Sequence, residues 1–514
     1  MLNLAIIYHM HQPYYKNLLT QESDLPWVRL HGVKDYLDMV QILEKFPEMK
    51  LTFNVVPSLF EQVEDYNRGE IKDKFFQLSA KPADKLTKSD KEFILANFFS
   101  INPDKVISFS PRYYQLYYNK RSGREFSLAD YLDLQVCFNL NWIDPSFRRN
   151  IPELKKVADK ERFFSESDKQ IVLAQQLEIL KGIIPAYKLA QANQQIEISV
   201  TPYYHPILPL LCDTKIAKEA NKKTALPKEG FRYPRDAKYQ IDSAVEFYKQ
   251  RFATAPLGMW PSEEGVSEHI VPYIIDAGIK WIVTDEAILF KSLKLKKRDT
   301  KLLYQPHLLK RKSGDLNIVF RDRNLSDLIG FVYHQMKEED AVNNFMGHLE
   351  NIHKAFKNKD ILVTIALDGE NAWEFFRNDG HDFLELFYQR ISQSDFVKTT
   401  TVSEYLKLHP AQNNIKRLSA GSWIYGEFGK WIGNPYKVKA WEWLAHARKA
   451  MQETKNPSPL AWKQMYILEG SDWFWWAGED PDGSFDRLFR LHLTNFYQLI
   501  KKTPPAYLDK PLVA

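Results

Sequence analysis

Seven short apolar runs recur along this chain, and they constrain its fold more than any other feature. The runs are Leu2–Tyr8, Leu51–Val56, Ile196–Val200, Leu257–Trp260, Ile279–Thr284, Asn317–Phe320 and Ile361–Leu367. Most are rich in Ile, Val and Leu with little alternation, which is the pattern of strands buried on both faces of a parallel sheet. Helical patterns separate several of them. The sequence therefore predicts an α/β fold in which strand–helix–strand units build a barrel.

Polar and ionisable residues follow these runs, at the point where each predicted strand ends. Among them are His9, His11, Glu263, Glu264, Asp285, Asp368 and Glu370. In barrel enzymes the carboxyl ends of the strands carry the active site. We therefore predict that the catalytic residues lie together at this rim.

The rest of the chain predicts two mainly helical regions beside the barrel. The strand signal fades between about 60 and 190, where charged helical segments dominate. After residue 405 apolar residues recur at helical spacing, as in Trp441, Leu444, Ala447 and Met451. A chain of 514 residues is too long for one ordinary domain. We predict a catalytic barrel domain over 1–404, which includes the insertion at 60–190, and a C-terminal helical domain over 405–514.

Composition argues against several classes of partner. The chain has 70 Lys and Arg against 65 Asp and Glu, and this near balance predicts no nucleic-acid partner. No segment approaches about 18 uninterrupted apolar residues, so we expect no membrane partner. The first apolar run has no basic leader and ends in His9, which predicts a strand, no signal peptide and a cytoplasmic location. Cys137 and Cys212 have no metal-ligand spacing and are predicted to be reduced thiols. The oligomeric state is left open.

Glu263 and Asp368 are the best candidates for catalysis. Glycoside hydrolysis uses one carboxyl group to protonate the leaving oxygen, and in retaining enzymes a second carboxylate attacks the anomeric carbon. Both residues follow an apolar strand, and each has a tryptophan nearby, Trp260 and Trp373. An apolar wall raises the pKa of a carboxyl group, so one of the pair can stay protonated near neutral pH. The alternative is that each carboxylate caps the helix that follows it.

Five motifs in order along the chain resemble those of glycoside hydrolase family 57. They are His11-Gln12-Pro13, Gln195–Ile198, Trp260–Glu263, Leu367–Asn371, and Gly421–Ile424 with Trp431–Gly433. The second motif usually begins with Gly, where this chain has Gln194, and the fifth is similar to the amylopullulanase-like branch. The resemblance implies a seven-stranded (β/α) barrel, a helical C-terminal region and retaining action on α-glucans. We expect no metal and no other cofactor.

The resemblance also implies roles for the carboxyl pair. The third motif, Trp-x-x-Glu, makes Glu263 the nucleophile, and the fourth makes Asp368 the general acid/base. Glu264 directly follows Glu263 and is the competing candidate for the nucleophile. Alternatively, Glu264 serves as the N-cap or as an acidic residue in the first turn of the helix that follows.

Further residues are predicted to bind the substrate. His11 and Glu197 match motif positions that line the family's active site. Glu370 lies two residues past Asp368 and is predicted to tune its pKa by like-charge repulsion. Trp260, Trp373 and Trp423 are candidates for stacking on sugar rings, with core packing as the alternative. The remaining rim candidates are His31, Asp285 and Glu427.

The leading interpretation is a retaining hydrolase of α-1,4-glucans or maltooligosaccharides, with α-1,6 linkages left open. If a sugar hydroxyl replaces water as the acceptor, the same pair gives a 4-α-glucanotransferase. His9 and His11 point the same way in a strand, so a metal-dependent carbohydrate deacetylase is an alternative. A complete Asp-Asp pair and His-x-x-x-His run, which such an enzyme usually has, are not found. A non-catalytic glucan-binding protein is the last alternative, and the intact carboxyl pair argues against it.

Overall fold

The computed structural model describes residues 1–357 and 359–513. At its centre lie seven parallel strands, which are β1 (Leu2–Met10), β2 (Leu51–Val55), β3 (Ile196–Val200), β4 (Gly258–Met259), β5 (Trp281–Asp285), β6 (Gly314–Arg321) and β7 (Ile361–Asp368). Each coincides with one of the predicted runs, so the predicted strands are confirmed. All nine residues of β1 are buried, as expected for a strand that is covered on both faces.

The parallel strands follow the spatial order β7-β1-β2-β3-β4-β5-β6. Within the described residues no ladder joins β6 to β7. A single backbone bond links the two edges near the rim, from the N–H of Asp322 to the carbonyl of Thr364 at 2.8 Å. The predicted seven-stranded (β/α) barrel is therefore confirmed in a distorted form. Because all seven strands run in one direction, their carboxyl ends meet at one rim.

Shorter strands extend this frame. His307–Arg311 pairs antiparallel with β6, and Asn413–Asn414 pairs with His307–Arg311. Val397–Thr399 runs parallel to the beginning of β1, and Glu22–Ser23 pairs with Lys72–Asp73 in a separate small sheet. The main sheet thus continues past residue 404, where the sequence places the end of the barrel domain. That domain division stays a prediction.

Helices cover the sheet and occupy the two regions that are predicted to be helical. Up to β3 the α-helices are Trp27–His31, Asp38–Gln41, Pro57–Arg68, Lys74–Ala80, Lys88–Asn97, Pro111–Arg121, Leu128–Trp142, Pro145–Asn150, Pro152–Ala158 and Glu166–Ala192. Between β3 and the C-terminal region they are Leu208–Cys212, Ala217–Ala220, Pro234–Phe252, Val271–Asp276, Glu286–Ser292, Thr300–Leu303, Arg323–Asp327, Glu338–Phe356, His381–Ser392 and Val402–Leu408. The C-terminal α-helices are Pro435–Gln452, Pro459–Leu468, Ser471–Trp476 and Ser484–Leu499.

Local sequence explains where one long helix begins and how another packs. Ser165 begins Glu166–Ala192 with a capping box, in which side chain and backbone satisfy each other's first-turn hydrogen bonds. Pro435–Gln452 buries the apolar stripe that was predicted from spacing, Trp441, Leu444, Ala447 and Met451. The C-terminal helices also reach the barrel rim, because the N–H of Ser471 donates to the carbonyl of His205 at 2.9 Å.

Two predictions from composition can be compared with this fold. Cys137 and Cys212 are both buried and are not joined in a disulfide, as predicted. No helix in the described part of the chain combines the length and the apolarity that are needed to cross a membrane.

Candidate active site

The turn after β4 places two adjacent carboxyl groups in different environments. Glu263 and Glu264 both have left-handed backbone, with φ of 59° and 52°. This conformation costs a non-glycine residue about 1–3 kcal/mol, and such strain concentrates at functional sites. The side chain of Glu263 keeps 16% of its surface exposed, whereas Glu264 is fully buried. Only Glu263 therefore faces the open rim.

Three side chains contact the carboxylate of Glu263. The indole N–H of Trp423 donates to Oε2 at 2.9 Å, and the hydroxyl of Ser471 donates to Oε1 at 3.4 Å. Nδ1 of His205 lies 3.9 Å from Oε1. Burial raises the pKa of Glu263 to about 7, the Trp423 hydrogen bond lowers it, and the negative charge of Asp368 raises it. The effect of Asp368 places both carboxyl groups in one electrostatic environment.

Asp368 ends β7 and pairs in register with His9 of β1. Asp368 is exposed to solvent, and the side-chain amide of Asn371 donates to its Oδ2 at 3.3 Å. The pKa of Asp368 is raised, mainly because the surrounding protein removes water, while Asn371 and then the positive charge of His11 lower it. A raised pKa suits a carboxyl group that must deliver a proton near neutral pH.

Three histidines and an aspartate lie beside Glu263. His11 stacks on His205 with ring centroids 3.9 Å apart, and Nε2 of His11 lies 2.9 Å from Oδ1 of Asp472. Nε2 of His9 lies 3.1 Å from Nε2 of His205, and Nδ1 of His9 lies 2.6 Å from the side-chain oxygen of Asn54. The cluster thus joins β1, the segment after β3 and a C-terminal helix.

The pKa of His11 shifts in the opposite direction to those of His9 and His205. Burial lowers the pKa of His9 to about 3 and also lowers that of His205 far below its usual value. For His11 burial acts in the same direction, but neighbouring carboxylates, with Asp472 first among them, raise its pKa overall. The neighbouring carboxylates therefore favour the protonated form of His11. Its Nδ1 is buried and has no hydrogen-bond partner within the described residues.

His11, His205 and Asp472 are also the residues that could hold a metal ion. One ligand atom from each lies within 4.8 Å of the others, and two imidazoles with a carboxylate are a donor set that zinc accepts. The metal alternative drawn from the sequence pairs His9 with His11, whereas here His9 is turned toward His205 and Asn54. Nε2 of His11 and Oδ1 of Asp472 are already in direct contact with each other.

Glu264 belongs to a buried group of charges beneath the cleft. Neither carboxylate oxygen of Glu264 has a hydrogen-bond partner within the described residues. Burial raises its pKa well above the usual value, and Arg321 is the strongest opposing influence. The guanidinium of Arg321 lies 5.5 Å from the ring centroid of Trp423 and donates to Asp327 at 2.5 Å. Glu264 is thus a charge partner of Arg321 in the interior.

Two residues that are predicted to bind substrate have partners within the protein. Glu197 is the second residue of β3, about 10 Å before the end of that strand at 3.3 Å per residue. It accepts hydrogen bonds from the indole of Trp281 at 2.9 Å and the hydroxyl of Ser403 at 2.5 Å. Asp285 is fully buried, caps the helix Glu286–Ser292 and pairs with Arg323. These contacts hold parts of the barrel together, and a role of Glu197 and Asp285 in substrate binding stays a prediction.

Of the three predicted stacking tryptophans, Trp423 is the one that contacts Glu263. Trp373 is 1% exposed and donates to the carbonyl of Gly369 at 3.0 Å, which is core packing. Trp260 is 5% exposed and stacks on His9 at 4.9 Å, so it supports that histidine from the interior. Trp423 is half-buried, and it alone keeps surface at the rim beside the nucleophile candidate.

The other predicted residues lie around this centre. Burial, followed by the charge of Asp368, raises the pKa of Glu370 well above its usual value. The like-charge interaction between the two carboxyl groups thus raises the pKa of Glu370, and the tuning of Asp368 by Glu370 stays a prediction. Nδ1 of His31 lies within hydrogen-bonding distance of Oδ2 of Asp35, at 2.8 Å, and burial lowers the pKa of His31 to about 4. Glu427 is half-buried and accepts a hydrogen bond from an asparagine side chain at 2.8 Å.

Sequence reasoning missed His205 and Asp472. His205 lies five residues past the end of β3, so its place after a predicted strand was a usable signal. Asp472 lies 461 positions from His11, its partner. No local pattern could join these two residues, because the contact depends on how a C-terminal helix packs against the rim.

Comparisons with known proteins add a family to this geometry. The family model described as glycosyl hydrolase family 57 matches residues 5–417. Alpha-amylase 1 of Dictyoglomus thermophilum is 25% identical over 266 residues, which cover 51% of this chain and 33% of that protein. The match thus spans about a third of that relative's length.

Solved structures share the fold over nearly the whole chain. A GH57 branching enzyme from Thermococcus kodakaraensis has a TM-score of 0.62 at 14% identity, over 97% of this chain and 90% of that one. The alpha-amylase AmyC from Thermotoga maritima has a TM-score of 0.60 at 14% identity, over 97% and 93%. At this identity the similarity shows the fold alone.

Proposed function

This chain belongs to glycosyl hydrolase family 57, and on that premise we propose that it is an α-glucan-active enzyme with a retaining, two-step mechanism. The observation that carries the proposal is the position of Glu263 and Asp368 at the same rim, in the turn after β4 and at the end of β7, and both carboxylates act to raise the pKa of His11. Retaining glycosidases need two such carboxyl groups, one ionised and one protonated. The alpha-amylase name of the Dictyoglomus relative supports an α-glucan as the substrate class.

In the first step Glu263 acts as the nucleophile and Asp368 as the general acid. A carboxylate oxygen of Glu263 attacks the anomeric carbon while the bond from that carbon to the glycosidic oxygen breaks. The leaving oxygen takes the proton of Asp368, and a covalent glycosyl-enzyme forms. The indole N–H of Trp423 and the positive charge of a protonated His11 lower the pKa of Glu263 and so stabilise its anionic form, which this step requires.

In the second step Asp368 acts as a general base. Its carboxylate removes a proton from the acceptor hydroxyl, and the acceptor oxygen bonds to the anomeric carbon as Glu263 leaves. Two inversions restore the original anomeric configuration. Water as the acceptor gives hydrolysis, and the 4-hydroxyl of another glucan gives transfer.

Two features of the site support Glu263 over Glu264 as the nucleophile. Glu263 has exposed surface at the rim and a donor on each carboxylate oxygen. Glu264 is fully buried and faces Arg321. A substrate that enters from the rim meets Glu263 first, and Glu264 would need the turn after β4 to unwind.

His11 is proposed to bind a sugar hydroxyl next to the reacting carbon. Its Nε2 lies 2.9 Å from Oδ1 of Asp472, while its Nδ1 has no protein partner within the described residues. When His11 is protonated, its N–H groups give stronger hydrogen bonds than neutral donors do. The fixed stacking of His11 on His205 leaves little side-chain entropy to lose on binding.

Incubation with maltoheptaose, with products resolved by chain length, tests the proposal. Shorter products alone identify a hydrolase, and products both longer and shorter identify a 4-α-glucanotransferase with the same pair. Glu263→Gln and Asp368→Asn, which keep the side-chain shape, should each lose turnover and keep the wild-type melting temperature. Absence of turnover on both maltoheptaose and amylopectin contradicts the proposed function. Unchanged turnover in one variant contradicts the role of that residue.

A further inference from the structure

A second cleft lies apart from the carboxyl pair. It has a volume of about 530 Å³ and is lined, among others, by Tyr203, Tyr204, Tyr239, Tyr466, Glu61 and Lys463. We call it the tyrosine cleft. Its volume falls within the range of about 300–1,000 Å³ that is common for small-molecule sites. Tyr204 lines this cleft and the next residue, His205, belongs to the active site, so the segment after β3 separates the two.

The charged side chains of the tyrosine cleft are paired with one another. Four cations and four carboxylates form the pairs Lys16–Asp65 at 2.9 Å, Arg251–Glu64 at 2.7 Å, Arg68–Glu70 at 3.0 Å and Lys463–Glu61. The charges cancel, so the cleft has no net charge with which to recruit an anion or a cation. A neutral ligand that forms hydrogen bonds fits this lining best.

Aromatic rings form one wall of the tyrosine cleft. Tyr239 stacks on Tyr466 with centroids 3.9 Å apart and an interplanar angle of 13°, and Tyr466 stacks in turn on Trp462 at 5.6 Å. Tyr239 stands at the outer end of this ladder and is 47% exposed. A ring held in this way offers an apolar face whose orientation is already fixed before a ligand arrives.

A rigid polar wall accompanies the aromatic ladder. The buried carboxylate of Glu61 accepts hydrogen bonds from Tyr14 and Tyr203, both at 2.9 Å, and from Tyr204 at 3.3 Å. These contacts fix the phenol rings in place. A pyranose ring has C–H faces that pack on aromatic rings and hydroxyls around its edge, so it matches a cleft with one flat apolar wall and one polar wall.

We propose that the tyrosine cleft is a second binding site for neutral α-glucan chains, with Tyr239 as the stacking surface. The choice of an α-glucan rests on the proposed function. A long chain held in the cleft is tethered beside the active site, which raises its effective concentration at Glu263. A substrate too short to occupy both sites gains nothing from the cleft.

Electrophoresis of the full chain through native gels with and without dissolved amylopectin tests the site. Tyr239→Ala removes the stacking ring, and Ser243→Trp fills the cleft from the same helix. Each should weaken retardation by amylopectin on the order of tenfold, since one aromatic face is lost or blocked. The ratio of kcat/KM on amylopectin to that on maltotriose should fall by a similar factor. Tyr114→Ala is the matched control, because Tyr114 is 52% exposed on another helix, and it should match wild type.

The outcomes separate this inference from the proposed function. If the wild-type protein cleaves or transfers α-glucans but both cleft variants are retarded as wild type is, the tyrosine cleft is not a glucan site. If the wild-type protein is neither retarded nor active on any α-glucan, the proposed function and the ligand of the cleft fail together. Loss of retardation in both variants, with normal behaviour of Tyr114→Ala, supports the site.

Discussion

Replacement of Trp423 by phenylalanine isolates one hydrogen bond to the proposed nucleophile. The indole N–H donates to Oε2 of Glu263 at 2.9 Å and lowers its pKa, while burial raises it to about 7. Trp423→Phe keeps an aromatic ring in place and removes the donor. The pKa of Glu263 must then rise, so a smaller fraction of the enzyme has the anionic nucleophile at a given pH.

The size of the effect follows from the hydrogen bond. A bond to a charged group contributes about 1.5–3 kcal/mol, and about 1.4 kcal/mol corresponds to a factor of ten. We therefore expect kcat/KM of Trp423→Phe at pH 6 to fall roughly 10- to 100-fold, with partial recovery as the pH rises. The acidic limb of the pH profile of kcat/KM, which reports the free enzyme, should move to higher pH.

The assay is maltoheptaose consumption, resolved by chain length, between pH 5 and pH 9. Trp475→Phe is the matched control, because Trp475 stacks on Trp423 at 6.3 Å and makes no contact with the carboxylate of Glu263 within the described residues. It should keep the wild-type acidic limb. A Trp423→Phe profile that coincides with wild type would refute the reasoning that this bond sets the ionisation of Glu263.

Three further predictions follow from the buried charges, the histidine cluster and the packing. Burial raises the pKa of Glu264 well above its usual 4.5, so the contribution of Glu264 to the free energy of unfolding is full below pH 4.5 and is lost as the pH rises through the folded-state pKa. The melting temperature of Glu264→Gln relative to wild type should therefore increase from pH 5 to pH 8. A difference in melting temperature that does not depend on pH would contradict this prediction. EDTA should leave turnover unchanged, because Nε2 of His11 already contacts Asp472 directly. A loss of turnover that zinc restores would support the deacetylase alternative. Gly258→Ala should lower the free energy of unfolding by about 1–3 kcal/mol, since the added Cβ would lie 2.0 Å from a tryptophan ring. Gly347→Ala, whose added Cβ has no atom within 4 Å among the described residues, should not lower the melting temperature.

The strands were predictable because burial on both faces leaves an unbroken apolar run in the sequence. The same argument placed Glu263 and Asp368 at the rim, because the carboxyl ends of parallel strands all lie on the same side of the barrel. Depth along a strand was harder to predict. Glu197 matches a family motif, yet it is the second residue of β3 and lies near the opposite end of the barrel.

Contacts between distant segments could not be predicted from one sequence. Asp472 reaches His11 only because the helix Ser471–Trp476 docks against the segment after β3. The role of each tryptophan was equally open, because a tryptophan after a strand can turn inward or outward. Trp373 turned into the core, and Trp423 turned toward Glu263.

Trapping of the glycosyl-enzyme tests the central claim most directly. Fluoride leaves without a proton donor, so α-maltosyl fluoride should glycosylate the Asp368→Asn variant, which then lacks the base for the second step. The account predicts that the intact mass increases by one maltosyl group and that fragmentation places this group on Glu263. A maltosyl group on Glu264 or another residue, or no covalent adduct with release of the inverted anomer, would contradict it.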